Sequence, residues 1–263
     1  TENRERVARI LIEAFGGTHV DWALQVSESL LVRVQYIVHC PDGVRAEADV
    51  DEIEARLVQA TRAWSDDLRD FLLREHGEDR GPKILARYRQ AFPPAYRDER
   101  AAQSAVADID RIEELVGPRE LIINLYRPKD AAEGVFRCKL FSRDGISLSD
   151  VMPTFEHMGA KVVDERPYEI KPDGRDPVWI YDFGLRCAAE HLERVRGLFE
   201  EAFLAVRRGE LEDDGLNALV LRAQMSGREV TIIRAIAKYL RQAGIAFSDR
   251  YMVGTLVGHS QIT

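Results

Sequence analysis

The chain has 263 residues, enough for one large or two small domains with real cores. Its apolar share of 45% and charged share of 31% are those of ordinary globular protein, and a net charge of −8 argues against a general nucleic-acid or membrane-surface binder, which would be basic. No apolar run approaches the roughly 20 residues that span a bilayer, and no signal-peptide pattern opens the chain. Cys40, Cys138 and Cys187 are scattered and read as reduced residues of a cytoplasmic protein rather than as a disulfide framework.

The first residue is Thr1 rather than Met, and a helix starts almost at once, so a piece of a longer chain, or a processed one, is expected. Residues 2–15 place Val7, Ile10, Leu11 and Phe15 on one helical face, and Gly16-Gly17 ends that helix. Residues 20–27 and 31–40 alternate as two strands, with a turn near Glu28-Ser29 and a strong turn signal at Pro41-Asp42-Gly43. From 49 to about 74 one long helix is expected, with Ile53, Leu57, Ala60, Trp64, Leu68 and Leu72 along a stripe. Residues 1–76 thus read α-β-β-α, a helix-on-sheet layer whose first strand is missing.

Residues 77–118 read as a helical linker. A charged, Gly-bearing break over 77–81 precedes Pro82, which suits the first turn of a helix over 83–91. Residues 92–96, with Pro93 and Pro94, are expected to be extended, since each Pro pushes its predecessor out of the helical region. A helix over 101–116 then stops at Gly117-Pro118.

Residues 119–209 carry the clearest pattern. After a short apolar strand over 121–127, Phe136, Cys138 and Leu140 alternate with Arg137 and Lys139, giving a strand with one polar face. Arg143-Asp144-Gly145 is a turn, and Ser147 or Ser149 caps a helix carrying Leu148, Val151, Met152, Phe155 and Met158. Gly159 stops it, strands over 162–170 and 178–186 follow around Lys171-Pro172-Asp173-Gly174, and a helix from about 190 to 208 closes the unit. This β-α-β-β-α order is most of a ferredoxin-like layer, and the 121–127 strand can complete a four-stranded sheet. Residues 210–263 are helical, over 214–225, 226–243 and 248–257, with a capping box at Ser226 and Glu229, and read as a packing or docking piece.

Catalytic patterns are absent. Gly16-Gly17 lies between a helix and a strand, the wrong order for phosphate binding, and no G-x-S-x-G elbow occurs. The histidines show no i, i+4 pairing and no Cys at ligand spacing, so no metal site is expected. Cys138 is a nucleophile only if a His is brought beside it, and is otherwise a small core residue. The pairs Asp164-Glu165 and Asp213-Asp214 read as solvated turns or strand edges, and the 121–127 strand lacks the paired aromatics of an RNA-binding sheet. One corner has site-like geometry. At Arg143-Asp144-Gly145-Ile146-Ser147-Leu148 a strand ends and a helix N-terminus begins, which suits a carboxylate or phosphate. An ordinary strand-to-helix turn with an N-cap has the same pattern.

Asp144-Gly145, the amphipathic helix and HMGAKVV (157–163) together resemble the ACT domain, a βαββαβ module that often binds amino acids. The segments YRQAFPPAYRDE (88–99), VVDERPYEI (162–170), VWIYDFGLR (178–186), FEEAFLAVRRGELEDDGLNALVL (199–221) and YLRQAGIAFSDRY (239–251) resemble the middle of the large bacterial NAD-specific glutamate dehydrogenases. The resemblance implies an α+β fold of ACT-like (ferredoxin-like βαββαβ) modules, the first truncated, with a helical linker and a helical C-terminal segment. It implies no catalytic residue in this stretch, with NAD bound by a separate catalytic domain of the same chain, and a homo-oligomer. A possible amino-acid effector transfers onto Asp144, Gly145, Ser147 and Leu148, although Asp144 stands where the family commonly has Pro. Architectural use in assembly stands beside effector binding. A stand-alone ACT-type regulator is the rival, and it would need an intact first strand and a starting Met.

Overall fold

A computed structural model describes residues 2–26, 32–41, 49–61, 64–115, 121–129, 131–187 and 192–260. The turns expected at Glu28-Ser29, Asp42-Gly43 and Gly117-Pro118 lie outside the described residues. The chain divides into two compact units, Thr1–Asp70 and Phe71–Thr263.

In the first unit, helical spacing puts Val7 and Leu11 of α1 (Glu2–Phe15) on the face that meets Ile53 of α2 (Val50–Thr61). Phe15, Tyr36, Val38 and Leu57 pack around them. Strands β1 (His19–Val26) and β2 (Val32–His39) pair antiparallel over their whole length, and Arg56 of α2 reaches Glu13 of α1 at 2.8 Å. The helix expected over 49–74 is helical over Val50–Thr61 and again from Trp64, in α3 (Trp64–Tyr88), and residues 62–63 lie outside the described residues.

The second unit begins within α3. The break expected over 77–81 stands at Gly77, whose φ 72, ψ 179 is a conformation open to a residue without Cβ and separates two helical stretches within Trp64–Tyr88. Residues 92–96 are not extended throughout. Pro93 is extended at ψ 158 but caps α4 (Pro94–Glu99), and Pro94 takes a first-turn position where its missing N–H is no loss. Helix α5 (Ala102–Glu114) follows.

Strands β3 (Leu121–Tyr126), β4 (Val135–Ser142), β5 (Lys161–Ile170) and β6 (Val178–Arg186) form one antiparallel sheet in the order β3-β4-β6-β5, with α6 (Leu148–His157) after β4 and α7 (Leu192–Arg207) after β6. This is the ferredoxin-like sheet reached by a ββαββα chain order. The place beside β4 that a final strand would take is filled by β3, from the N-terminal side. Period-two alternation sends Phe136, Cys138 and Leu140 of β4 and Tyr181, Phe183 and Leu185 of β6 to one face. There they meet Val151 and Phe155 of α6, Met158 at its C-cap, and Val195, Phe199 and Phe203 of α7. Gly159, at φ +78, ends α6 as expected.

The opposite face was expected to be polar, and it is polar but buried. Helices α4 and α5 cover it. Lys139 donates to both carboxylate oxygens of Asp108 on α5 at 2.8 and 2.7 Å, and Tyr96 donates to the same carboxylate at 2.6 Å. Asp182, fully buried, accepts from Arg137 Nε at 2.7 Å, Arg100 Nη2 at 2.5 Å and the Tyr126 hydroxyl at 3.3 Å. Burial pushes the Asp108 carboxyl above its usual range, against the pull of Lys139 and Tyr96. The linker is thus docked by paired charges that a low-dielectric seam makes costly to separate.

Asp164, expected at a solvated edge, accepts from Arg137 at 3.1 Å. At the end of α5, Glu113 accepts from Arg87, Tyr88 and Arg175. Burial alone would raise the Glu113 carboxyl, but the Tyr88 hydroxyl and the two guanidinium groups outweigh it and hold the group below its ordinary value. A depressed carboxyl contributes stability above the unfolded-state pKa, and that contribution is lost as pH falls through the folded-state value. The Tm difference between the native chain and Glu113→Gln, followed by circular dichroism, is therefore expected to be largest above about pH 5 and to vanish in strong acid.

The tail is split more finely than expected. Residues 214–225 form a 3-10 turn (Gly215–Ala218) and a single turn α8 (Leu219–Arg222), whose Leu219 and Val220 belong to the sheet core. Helix α9 (Gly227–Gln242) starts on the Ser226–Glu229 capping box, and α10 (Asp249–Gly258) is capped by Ser248. Among the described residues, no helix is long and apolar enough to cross a membrane.

Candidate functional site

Strand β4 ends at Ser142, and the chain turns through residues 143–147 into α6. Three bonds pin this corner: Arg143 donates to Leu115 O at 2.8 Å, Ile146 N to the Tyr181 hydroxyl at 3.0 Å, and Asp150 N to Ser147 O at 3.1 Å. Ser147 is the N-cap residue of α6, yet its hydroxyl bonds Ser149 Oγ at 2.6 Å and makes no cap bond to the helix backbone. The first-turn donors of α6 are consequently not taken up by the capping side chain.

Beside the corner lies a cleft of about 420 Å³, lined by Asp144, Gly145, Ile146, Ser147 and Asp150 on one side and by Leu121, Leu204, Arg207 and Arg208 on the other. The structure thus brings together Asp144, Gly145 and Ser147 of the expected site. Leu148 opens α6 but does not line the cleft. Sequence reading missed Arg207 and Arg208, which lie some sixty residues later where α7 ends. Arg207 Nη1 donates to the carbonyl of Asp150, tying the end of α7 to the start of α6. A helix N-terminus and two guanidinium groups suit a carboxylate, while Asp144 and Asp150 suit an ammonium group. The cleft therefore offers both charges that a zwitterionic small molecule presents.

Gly145 is not in the left-handed region, and a Cβ built there would meet only the Tyr181 hydroxyl, at an ordinary 3.8 Å. Fold alone does not demand glycine at this position, whereas a ligand lying against the backbone would.

Catalytic candidates fare differently. Cys138 is fully buried in the sheet core, and burial pushes its thiol well above the ordinary range, so it stays neutral and inert. The pair Asp213-Asp214, expected in a solvated turn, ties elements together. Asp213 accepts from Thr154 at 2.8 Å and bonds His157 Nδ1 at 2.9 Å, both on α6. Asp214 caps the 3-10 turn through Leu216 N at 3.0 Å and receives Arg234 of α9 at 2.6 and 3.0 Å. Helix α6 thus connects the cleft at its first turn to the tail at its last.

A βαββα layer with its sheet completed to four antiparallel strands, and a cleft at the first strand–helix turn, define the class of ACT-type α+β modules. Comparison with known families gives four matches in chain order: glutamate dehydrogenase ACT2 domain over residues 1–65, helical motif 2 over 71–115, ACT3 domain over 120–196 and helical motif 3 over 211–263. The chain is 36% identical over its full length to the NAD-specific glutamate dehydrogenase of Halomonas elongata, 32% to that of Pseudomonas aeruginosa, and 33% over 98% of its length to that of Mycobacterium tuberculosis. It spans 16% of the length of the first two and 17% of the third. The chain belongs to the glutamate dehydrogenase family, as its ACT and helical-motif region.

Proposed function

We propose that the chain is the regulatory and assembly segment of a cytoplasmic, oligomeric NAD-specific glutamate dehydrogenase. The whole protein would convert L-glutamate, NAD and water to 2-oxoglutarate, ammonia and NADH, with NAD held by a catalytic domain of the same polypeptide. In this reading residues 1–76 and 119–209 are the ACT-like modules, 77–118 the linker, and 210–263 the helical connection towards that domain.

The observation that carries the regulatory half is the cleft, where groups of both charges converge on a helix N-terminus at the ACT corner. A free α-amino acid would set its carboxylate towards the α6 N-terminus and Arg207 or Arg208, and its ammonium towards Asp144 or Asp150. Binding that favours one position of α6 would reach the tail through Thr154, His157 and Asp213, and shift the populations of whatever the tail docks against. The assembly half is supported by the tail surface, where Ile236, Tyr239, Phe247 and Tyr251 are all at least half exposed.

Two assays test the reading. The chain on its own is expected to produce no NADH from glutamate and NAD, and turnover lost in Cys138→Ala would revive a catalytic reading. Full-length dehydrogenase carrying Gly145→Ala is expected to retain glutamate oxidation and to lose its response to amino-acid effectors.

A further inference from the structure

We propose that His19, Asp21 and His39, on paired strands of the first unit, form a divalent-metal site of the zinc class. The register of β1 and β2 sets His19 opposite His39, and Asp21 follows His19 by two residues, so all three side chains leave the same face of the hairpin. That face is the one opposite Val38 and Tyr36, which pack on the core of the unit. The two imidazoles stand side by side, with ring centroids 4.0 Å apart and planes within 5°. His39 Nε2 lies 2.8 Å from Asp21 Oδ2, and one ligand atom from each of the three residues falls within 4.8 Å of the others.

Two imidazole nitrogens and a carboxylate oxygen are the donor set of zinc sites that keep an open position. Tetrahedral coordination at about 2.0–2.1 Å needs ligand atoms roughly 3.3 Å apart, so the three groups close in from their present spacing on binding. A second observation bears on His19. The Thr18 hydroxyl donates to His39 O at 3.2 Å, so its oxygen is left to accept from His19 Nδ1, 3.3 Å away. That bond places the ring proton on Nδ1 and leaves Nε2 as the bare ligand nitrogen. On binding, the ion takes the place of the proton that His39 Nε2 shares with Asp21. The side chains of His39 and Asp21 are 43% and 68% exposed, so an ion reaches them from solvent directly.

The spacing in sequence hides this site, because residues 19, 21 and 39 become neighbours only through strand pairing. Isothermal titration of the full chain with Zn2+ is expected to show one ion bound per chain. Loss of an outer-shell partner typically weakens metal binding 10- to 100-fold, so His19→Ala or His39→Ala is expected to weaken it by more than about a hundredfold, and Thr18→Val by about tenfold. Zn2+ is expected to raise Tm in the native chain and not in His39→Ala. Cys40, next to His39, provides the control: Cys40→Ser is expected to leave affinity unchanged, and the Co2+-loaded chain to show no thiolate charge-transfer band. Absence of Zn2+ binding, binding undiminished from the native chain in His19→Ala or His39→Ala, or a thiolate band that disappears in Cys40→Ser would each overturn the assignment.

Discussion

Asp108→Ala is expected to destabilise the second unit by about 3–5 kcal/mol, the usual result of stranding one member of a buried pair. Its carboxylate receives two bonds from Lys139 and one from Tyr96 in a seam where Lys139 and Asp108 are almost fully enclosed. Removing it leaves a buried ammonium beside the Tyr126 ring, 5.6 Å away, and opposite Asp182 of β6, a carboxylate already engaged by Arg100 and Arg137. The double variant Asp108→Leu with Lys139→Met is expected to recover most or all of the loss, because apolar side chains of similar volume need no partner there. Urea unfolding midpoints of the single and double variants measure both. A double variant as unstable as the single one would mean that the seam depends on the charges themselves.

Phe155→Ala is expected to cost about 3–5 kcal/mol for a different reason. Its ring is fully buried, with centroids of Phe203 at 4.9 Å, Phe183 at 5.1 Å and Phe199 at 6.3 Å. Truncation opens a cavity at the point where α6, the sheet and α7 meet, and the surrounding rings refill it only in part. Because α6 carries the cleft at its first turn, the same variant is expected to weaken ligand binding as well as stability. Gly145→Ala is expected to separate the two, since a Cβ there has room in the fold and, on the proposed reading, would stand in the way of a ligand lying against the backbone. Thermal unfolding combined with calorimetric binding distinguishes these variants.

Much of the second unit was legible because its punctuation is local. Alternation in β4 and β6, the stop at Gly159 and the capping box at Ser226 depend on neighbours in sequence, and each stands where residue chemistry puts it. The face of β4 opposite the sheet core is polar as its alternation implies, but its burial is a tertiary property that alternation does not carry. A signal existed even so: Asp108 stands on the apolar stripe of its helix with Ala105, Ile109 and Ile112, and Asp182 interrupts the apolar run of β6. A carboxylate on each of two faces that should be buried asks for cations, and Arg100, Arg137 and Lys139 supply them. Residues 92–96 depart from an extended course only after Pro93, because the Pro that keeps its predecessor extended is itself well suited to a helix's first turn.

The corner itself was half legible. Asp144, Gly145 and Ser147 line the cleft as their position at a strand–helix turn implies, but its basic wall comes from the end of α7. Nothing in the local sequence at 143–148 points to Arg207 and Arg208. Only the return of the second helix along the same sheet brings them there.

Calorimetric titration of the chain with each of the twenty amino acids tests the central claim most directly. The account predicts saturable binding of one or a few of them at a single site, abolished by Gly145→Ala and weakened when Arg207 and Arg208 are replaced together by alanine. Silence across all twenty, or binding that these variants leave unchanged, would contradict it.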